Sequence, residues 1–220
     1  MSVVSAPVAT EQHFLLDGVS WQDYTRLLHA LDERPGLRLT YDRGTLELMT
    51  LTLEHESYNY LLARLVDSLT EELDLPVKGG GRTTFRRRTR KRGLEPDACW
   101  WIASEPLVRG KTVIKLAQDP PPDLALEVEI SRSALDRLAI YASLGVPEVW
   151  RLEGNELVCH ILDSDGRYTR SATSRAFPNL LVADVGAFLA LLGQMDENGI
   201  VRQFRAWIRQ QPWNPAATRP

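Results

Sequence analysis

Pro122-Asp123-Leu124-Ala125-Leu126-Glu127-Val128-Glu129, read together with the shorter Glu95-Pro96-Asp97, is the stretch that decides the organisation of this chain. Both segments set carboxylates inside apolar runs, and a carboxylate carried into a buried strand is costly unless a cation meets it. A divalent metal is the simplest such cation, because Mg²⁺ is commonly held by one or two carboxylates with water and substrate phosphates completing its shell. The pattern points towards phosphodiester chemistry.

Outward from this stretch, 124–130 is apolar enough for a central strand, and further strands are expected at 76–78, 83–87 and 97–103. Upstream, Tyr58, Leu61, Leu62, Leu65, Val66, Leu69 and Leu73 share one face of a helix over 54–73, followed by Pro76. Before it, Trp21, Tyr24, Leu27, Leu28 and Leu31 predict a short amphipathic helix, with Ser20 as N-cap and Pro35-Gly36 as the stop. The strands at 37–41 and 45–49 then form a hairpin around Asp42-Arg43-Gly44.

Downstream, a helix over 134–144 ends at Gly145, and strands at 148–152, 156–162 and 168–173 make a meander through two turns rich in Gly, Asn and Asp. Helices are expected over 185–192 and 200–210. The fold class is α/β in the broad sense, mixed α+β, with a central mixed sheet flanked by helices. A single domain is expected over 20–211, with disordered segments at 1–19 and 212–220.

The 220 residues suit one well-packed domain, and a chain that is 44% hydrophobic and 25% charged is ordinary for a globular protein. A formal charge of -3 and a pI near 5.9 exclude bulk electrostatic coating of nucleic acid, so any DNA contact must come from a local patch. Cys99 and Cys159 lie far apart with no histidines at zinc-ligand spacing, and read as buried free thiols. Residues 1–11 lack a basic start and apolar core, and no run is long enough to span a membrane. The expected compartment is a reducing cytoplasm.

Gly44-Thr45-Leu46-Glu47-Leu48-Met49, Glu54-His55-Glu56, Gly93-Leu94-Glu95-Pro96-Asp97, 123–130 and Ile140-Tyr141-Ala142-Ser143-Leu144-Gly145-Val146-Pro147-Glu148-Val149-Trp150 occur in that order. Taken together, from about Trp21 to about Phe188, they resemble the Uma family of restriction endonucleases, a branch of the PD-(D/E)XK nucleases. The resemblance implies a restriction-endonuclease-like core in which Asp97 opens one strand, Glu127 lies on the next, and the two share Mg²⁺ or Mn²⁺ with the Val128 carbonyl. Such an ion would activate water and stabilise charge on the scissile phosphate of DNA. The plainer alternative makes Asp97 a strand-entry residue and Glu127 an edge charge.

The nuclease pattern places a lysine two residues after the glutamate, where this chain has Glu129. Glu127 and Glu129 point to the same face of a strand and repel unless a cation intervenes. Glu129 is therefore an extra ligand or a base. Arg137, four positions before Tyr141 where the family often carries a basic residue, is the candidate for the missing cation; it would clamp a phosphate through two parallel hydrogen bonds. Alternatively it is a surface arginine paired with Asp136 or Glu148. Tyr141 is expected to pack under the site.

Glu54 and His55, ranked above Glu56, stand in the first turn of the long helix, where the fold often supplies another acid and the family commonly has a histidine. Acids here also stabilise the helix dipole, with Thr52 as the cap. Arg82, Arg86, Arg88, Arg90 and Lys91, in a basic stretch with Arg87 and Arg92, form the one cluster able to neutralise several phosphates. Alternation would put Arg86 and Arg88 on one face. Otherwise the charges protect an edge strand from aggregation. Trp100, Trp101 and Trp150 read as core, and His13, His29 and His160 as scattered. A homodimer would help cut both strands of a duplex.

Overall fold

The computed structural model describes residues 10–31 and 36–212. Its strands fall into two sheets. The first has the order β1-β3-β2-β6-β5 and is antiparallel: β1 (His13–Leu16), β2 (Leu37–Asp42), β3 (Thr45–Thr50), β5 (Phe85–Arg87) and β6 (Arg92–Leu94). The second runs β11-β10-β9-β8-β7-β4, with β4 (Lys78–Gly79), β7 (Ala98–Trp101), β8 (Leu124–Glu129), β9 (Glu148–Glu153), β10 (Glu156–Leu162) and β11 (Tyr168–Ser171). In it β8 and β9 form a parallel ladder, with Glu127 opposite Arg151, and the remaining ladders are antiparallel. The mixed α+β class holds, but with the strands divided between two sheets rather than gathered in one.

Six α-helices pack around them among the described residues: α1 (Trp21–Leu31), α2 (Leu53–Glu72), α3 (Glu105–Val108), α4 (Arg137–Leu144), α5 (Val182–Ala187) and α6 (Glu197–Gln210). The spacing that predicts α2 buries Leu61, Leu62, Leu65, Val66 and Leu69 against Leu124, Leu126 and Val128 of β8 and Phe204 of α6. Thr52 caps it by accepting the His55 N–H, which fixes where the Glu54-His55 turn begins. Asp136 caps α4 through the Ala139 N–H, and Gly145 ends it at a φ of 85° that only glycine adopts freely. As the crossover between the parallel strands β8 and β9, α4 is held over the carboxyl end of β8.

Several expectations change. The segment expected to be disordered at 1–19 carries β1, which pairs with β3, and its residues 1–9 lie outside the described residues, as do Pro35 and 213–220. The basic stretch is a hairpin in which β5 is followed by a 3₁₀ turn at Arg88–Arg90 and then by β6. Strand alternation thus stops at Arg87, so it cannot pair the faces of Arg86 and Arg88. Gly93 of β6 lies against the Tyr24 ring, where a Cβ would collide with the phenol. The helix expected over 185–192 runs from Val182 to Ala187 and continues as a 3₁₀ turn. Trp100, Trp101 and Trp150 are buried, and both cysteines are buried free thiols.

Candidate active site

Asp97 stands immediately before β7 and is buried, with both carboxylate oxygens engaged. Its Oδ1 accepts from Arg38 Nη2 at 2.5 Å and lies 2.9 Å from His55 Nε2, while Oδ2 accepts the Val128 N–H at 2.7 Å. Arg38 comes from β2, so the two sheets are joined through this carboxylate. Burial alone would raise the Asp97 pKa, but His55 and Arg38 outweigh it and hold it at about 2.

His55 is wholly buried on α2 between two acids, with Nε2 on Asp97 and Nδ1 2.7 Å from Glu11 Oε1. A ring facing carboxylates on both sides must donate from both nitrogens and is therefore an imidazolium. Burial opposes the charge, yet Asp97 and Glu11 lift the pKa to about 9.

Glu127, on β8 beside β7, is equally buried. Arg137 grips it with two parallel bonds, Nε to Oε2 at 2.9 Å and Nη2 to Oε1 at 2.7 Å, and the Tyr141 hydroxyl donates to Oε1. Arg137 also donates to the Glu95 carbonyl at 2.9 Å and to the Thr40 hydroxyl on β2. Its partner is thus Glu127, not Asp136 or Glu148, and Tyr141 packs under the site as expected. Burial raises the Glu127 pKa, against the pull of Arg137.

Glu129 is answered separately, by Arg151 of the next strand and by the Ser133 N–H. The two glutamates on one face, whose repulsion suggests a metal, instead have one arginine each. The cleft bounded by Glu127, Glu129, Ser131, Ser133, Arg137 and Arg151 has a volume of only about 20 Å³. A single water needs roughly 10–15 Å³ on this measure, so a phosphate cannot enter the cleft as it stands.

This donor set does not fit Mg²⁺ or Mn²⁺ in its present arrangement. Among the described residues no three acidic, histidine or cysteine side chains are grouped to hold an ion. Asp97, Glu127 and Glu11 carry three negative charges, and Arg38, His55 and Arg137 carry three positive ones. A divalent ion would add uncompensated charge to a neutral buried cluster. The Val128 N–H occupies Asp97 Oδ2, so neither oxygen of that carboxylate is open.

Of the remaining candidates, Glu54 is exposed on the first turn of α2, outside the cluster, and Glu56 pairs with Arg82. Arg86, Arg88, Arg90 and Lys91 are exposed on the basic hairpin. Arg87 and Arg92 are instead tied down, the first to the Leu116 and Ser143 carbonyls and the second to Asp42 and the Ala139 carbonyl. The hairpin is thereby anchored beside α4, without its exposed arginines touching Asp97 or Glu127.

Three participants are not evident from sequence reasoning: Arg38, Glu11 and His13. His13 is no stray histidine, since its ring lies 3.0 Å from Glu47 and 2.6 Å from the Ser131 hydroxyl. Arg38 has a local signal, being a charge between Leu37 and Leu39 in an apolar strand. Glu11 has none, for its partners are 44 and 120 residues away.

No helix among the described residues is long and apolar enough to cross a membrane. A family model described as "Uma2: Putative restriction endonuclease" matches residues 21–189, well over half of the chain. No curated protein matches it.

Proposed function

Since the chain belongs to the Uma2 family, we propose that it is an endonuclease acting on the phosphodiester backbone of DNA at the cluster of Asp97, Glu127 and Arg137. The observation that carries this reading is the bidentate pair between Arg137 and Glu127, set on the strand next to Asp97. A guanidinium fork matches two phosphate oxygens as well as two carboxylate oxygens, so a backbone phosphate competes with Glu127 for it. Once released, Glu127 is a buried carboxylate with raised proton affinity, suited to take a proton from the attacking water while Tyr141 keeps it oriented. The cleft has to widen for this exchange.

Arg86, Arg88, Arg90 and Lys91 supply backbone contacts on the hairpin side, and binding through them falls steeply with added salt. Restriction-endonuclease-like families generally use divalent metals. Here arginine and histidine hold the carboxylates, so each step above belongs to the chain's own side chains.

The test is nicking of supercoiled plasmid by the wild type, Asp97→Ala and Glu127→Ala, each with and without Mn²⁺. Nicking by the wild type that is lost in both variants supports the reading, and the Mn²⁺ arm reports whether an ion is required. Absence of cleavage by a folded wild type overturns it. That result favours a second reading, a nuclease-fold module that binds nucleic acid without hydrolysing it. Two features support this alternative: Glu129 where the nuclease pattern has lysine, and the internal neutralisation of all three acids.

A further inference from the structure

Glu11 lies just before β1, yet its carboxylate is 1% exposed. Oε1 faces His55 Nδ1 at 2.7 Å, and Oε2 accepts the Ser131 N–H at 3.0 Å together with the Ser131 hydroxyl. An imidazolium N–H, a backbone N–H and a hydroxyl therefore converge on one anion from two separate elements, α2 and the loop after β8. These are the donors that cradle phosphate oxygens at protein sites. The same imidazole turns its other nitrogen to Asp97, so an anion at this position stands one ring away from the cluster.

The segment that brings Glu11 there is lightly held. β1 has four residues at the edge of its sheet, and Phe14, Leu15 and Leu16 are 54%, 48% and 46% exposed. About half of each of these side chains is already in solvent, so lifting the strand uncovers only the remainder together with the β3 edge beneath it. Besides its backbone bonds to β3 and Thr50, its ties are polar: the Gln12 N–H on the Thr50 hydroxyl, Glu11 in the cradle, and His13 between Glu47 and Ser131.

We propose that His55, the Ser131 N–H and the Ser131 hydroxyl form a phosphate-binding subsite, and that Glu11 fills it as an internal stand-in carried by a removable strap over residues 11–16. This deepens the nuclease reading, on which it rests, by naming how the site is closed at rest and what displaces the closure. A backbone phosphate of the nucleic acid takes the place of Glu11, the strap lifts from the edge of β3, and the Ser131–Ser133 loop is released beside the cleft.

Thermal unfolding with inorganic phosphate, against sodium chloride of equal ionic strength, tests the subsite without requiring cleavage. The expected result is no phosphate-specific shift for the wild type. Glu11→Ala melts lower, and phosphate at ten times its Kd raises its Tm by about 4 °C. The shift disappears in Glu11→Ala combined with Ser131→Ala. Where Glu11→Ala does not fold, Glu11→Ser carries the same titration, because its short side chain also vacates the cradle. An unresponsive folded variant, or one that acetate restores and phosphate does not, overturns the proposal. Phosphate binding without plasmid cleavage by any variant would retire the nuclease reading alone, and cleavage without phosphate binding would retire the subsite alone.

Discussion

Glu127 on β8 and Glu148 on β9 lie one strand apart in the same parallel pair, both buried, and they are stabilised by opposite means. Glu148 pairs with no cation among the described residues: its Oε1 accepts from Trp150 Nε1 at 2.6 Å, the Ser174 hydroxyl at 2.7 Å and the Cys159 thiol at 3.5 Å, and its Oε2 from the Arg175 and Ala176 N–H groups at 2.9 and 2.7 Å. Burial pushes its pKa up despite these donors. Glu127 instead depends on an arginine at the start of a helix and on a tyrosine hydroxyl. Backbone donors are fixed to one position and fasten the turn at 174–176 to the sheet. A guanidinium on a flexible stem can be given up to another anion. The first arrangement suits a rivet and the second a site.

The largest expected effect tests the rivet. Glu148→Ala strips five donors of their acceptor, the Trp150, Ser174 and Cys159 side chains among them buried, and should cost about 4 kcal/mol in urea unfolding. A cost below about 1 kcal/mol would break the comparison. Next comes the exchangeable pair. Arg137→Ala leaves Glu127 buried without its charge partner and should cost about 3 kcal/mol, whereas Arg137→Met with Glu127→Leu should come close to wild-type stability in the same experiment. A double variant as unstable as the single one would mean that the pair fastens the fold as Glu148 does.

A smaller effect appears with pH. His55 rises from 6.5 to about 9 on folding, so its contribution is complete below 6.5 and is lost as pH rises through 9. Asp97 moves the other way, from 3.8 to about 2, and its contribution is present above 3.8 and lost as pH falls through 2. Tm measured from pH 6 to 10 should therefore fall more for the wild type than for His55→Gln, and parallel curves would count against a charged ring. Glu148→Gln should leave that alkaline limb unchanged. Smallest of all, Glu54→Ala removes an exposed acid at a helix start and should shift stability by no more than about 0.5 kcal/mol. A loss of several-fold more would place Glu54 in the cluster after all.

The long helix, the first hairpin and the helix before β9 are legible because each has a local period or local punctuation: the apolar face of α2, Asp42-Arg43-Gly44, and Gly145 after α4. β1 and β6 are not, since His13–Leu16 and Arg92–Leu94 are short and take their strand character from partners far along the chain. In the candidate site, Asp97 and Glu127 stand out as carboxylates in apolar runs, whereas Arg137 and Tyr141 are picked out by the resemblance to the family. The identity of the neutralising cation does not. An arginine on β2 and a histidine on α2 reach Asp97 only because two sheets meet there, and sequence spacing carries no trace of that junction.

The distance in sequence between Glu11 and Ser131 has a consequence in time. A ribosome adding roughly 5–20 residues per second delivers Ser131 some 6–24 seconds after Glu11. The first hairpin and α2 have left the exit tunnel by then, and the strap finds its loop only once β8 has emerged. Until then Glu11 has only the His55 half of its cradle, and Arg137 and Tyr141, which complete the reaction centre, emerge later still.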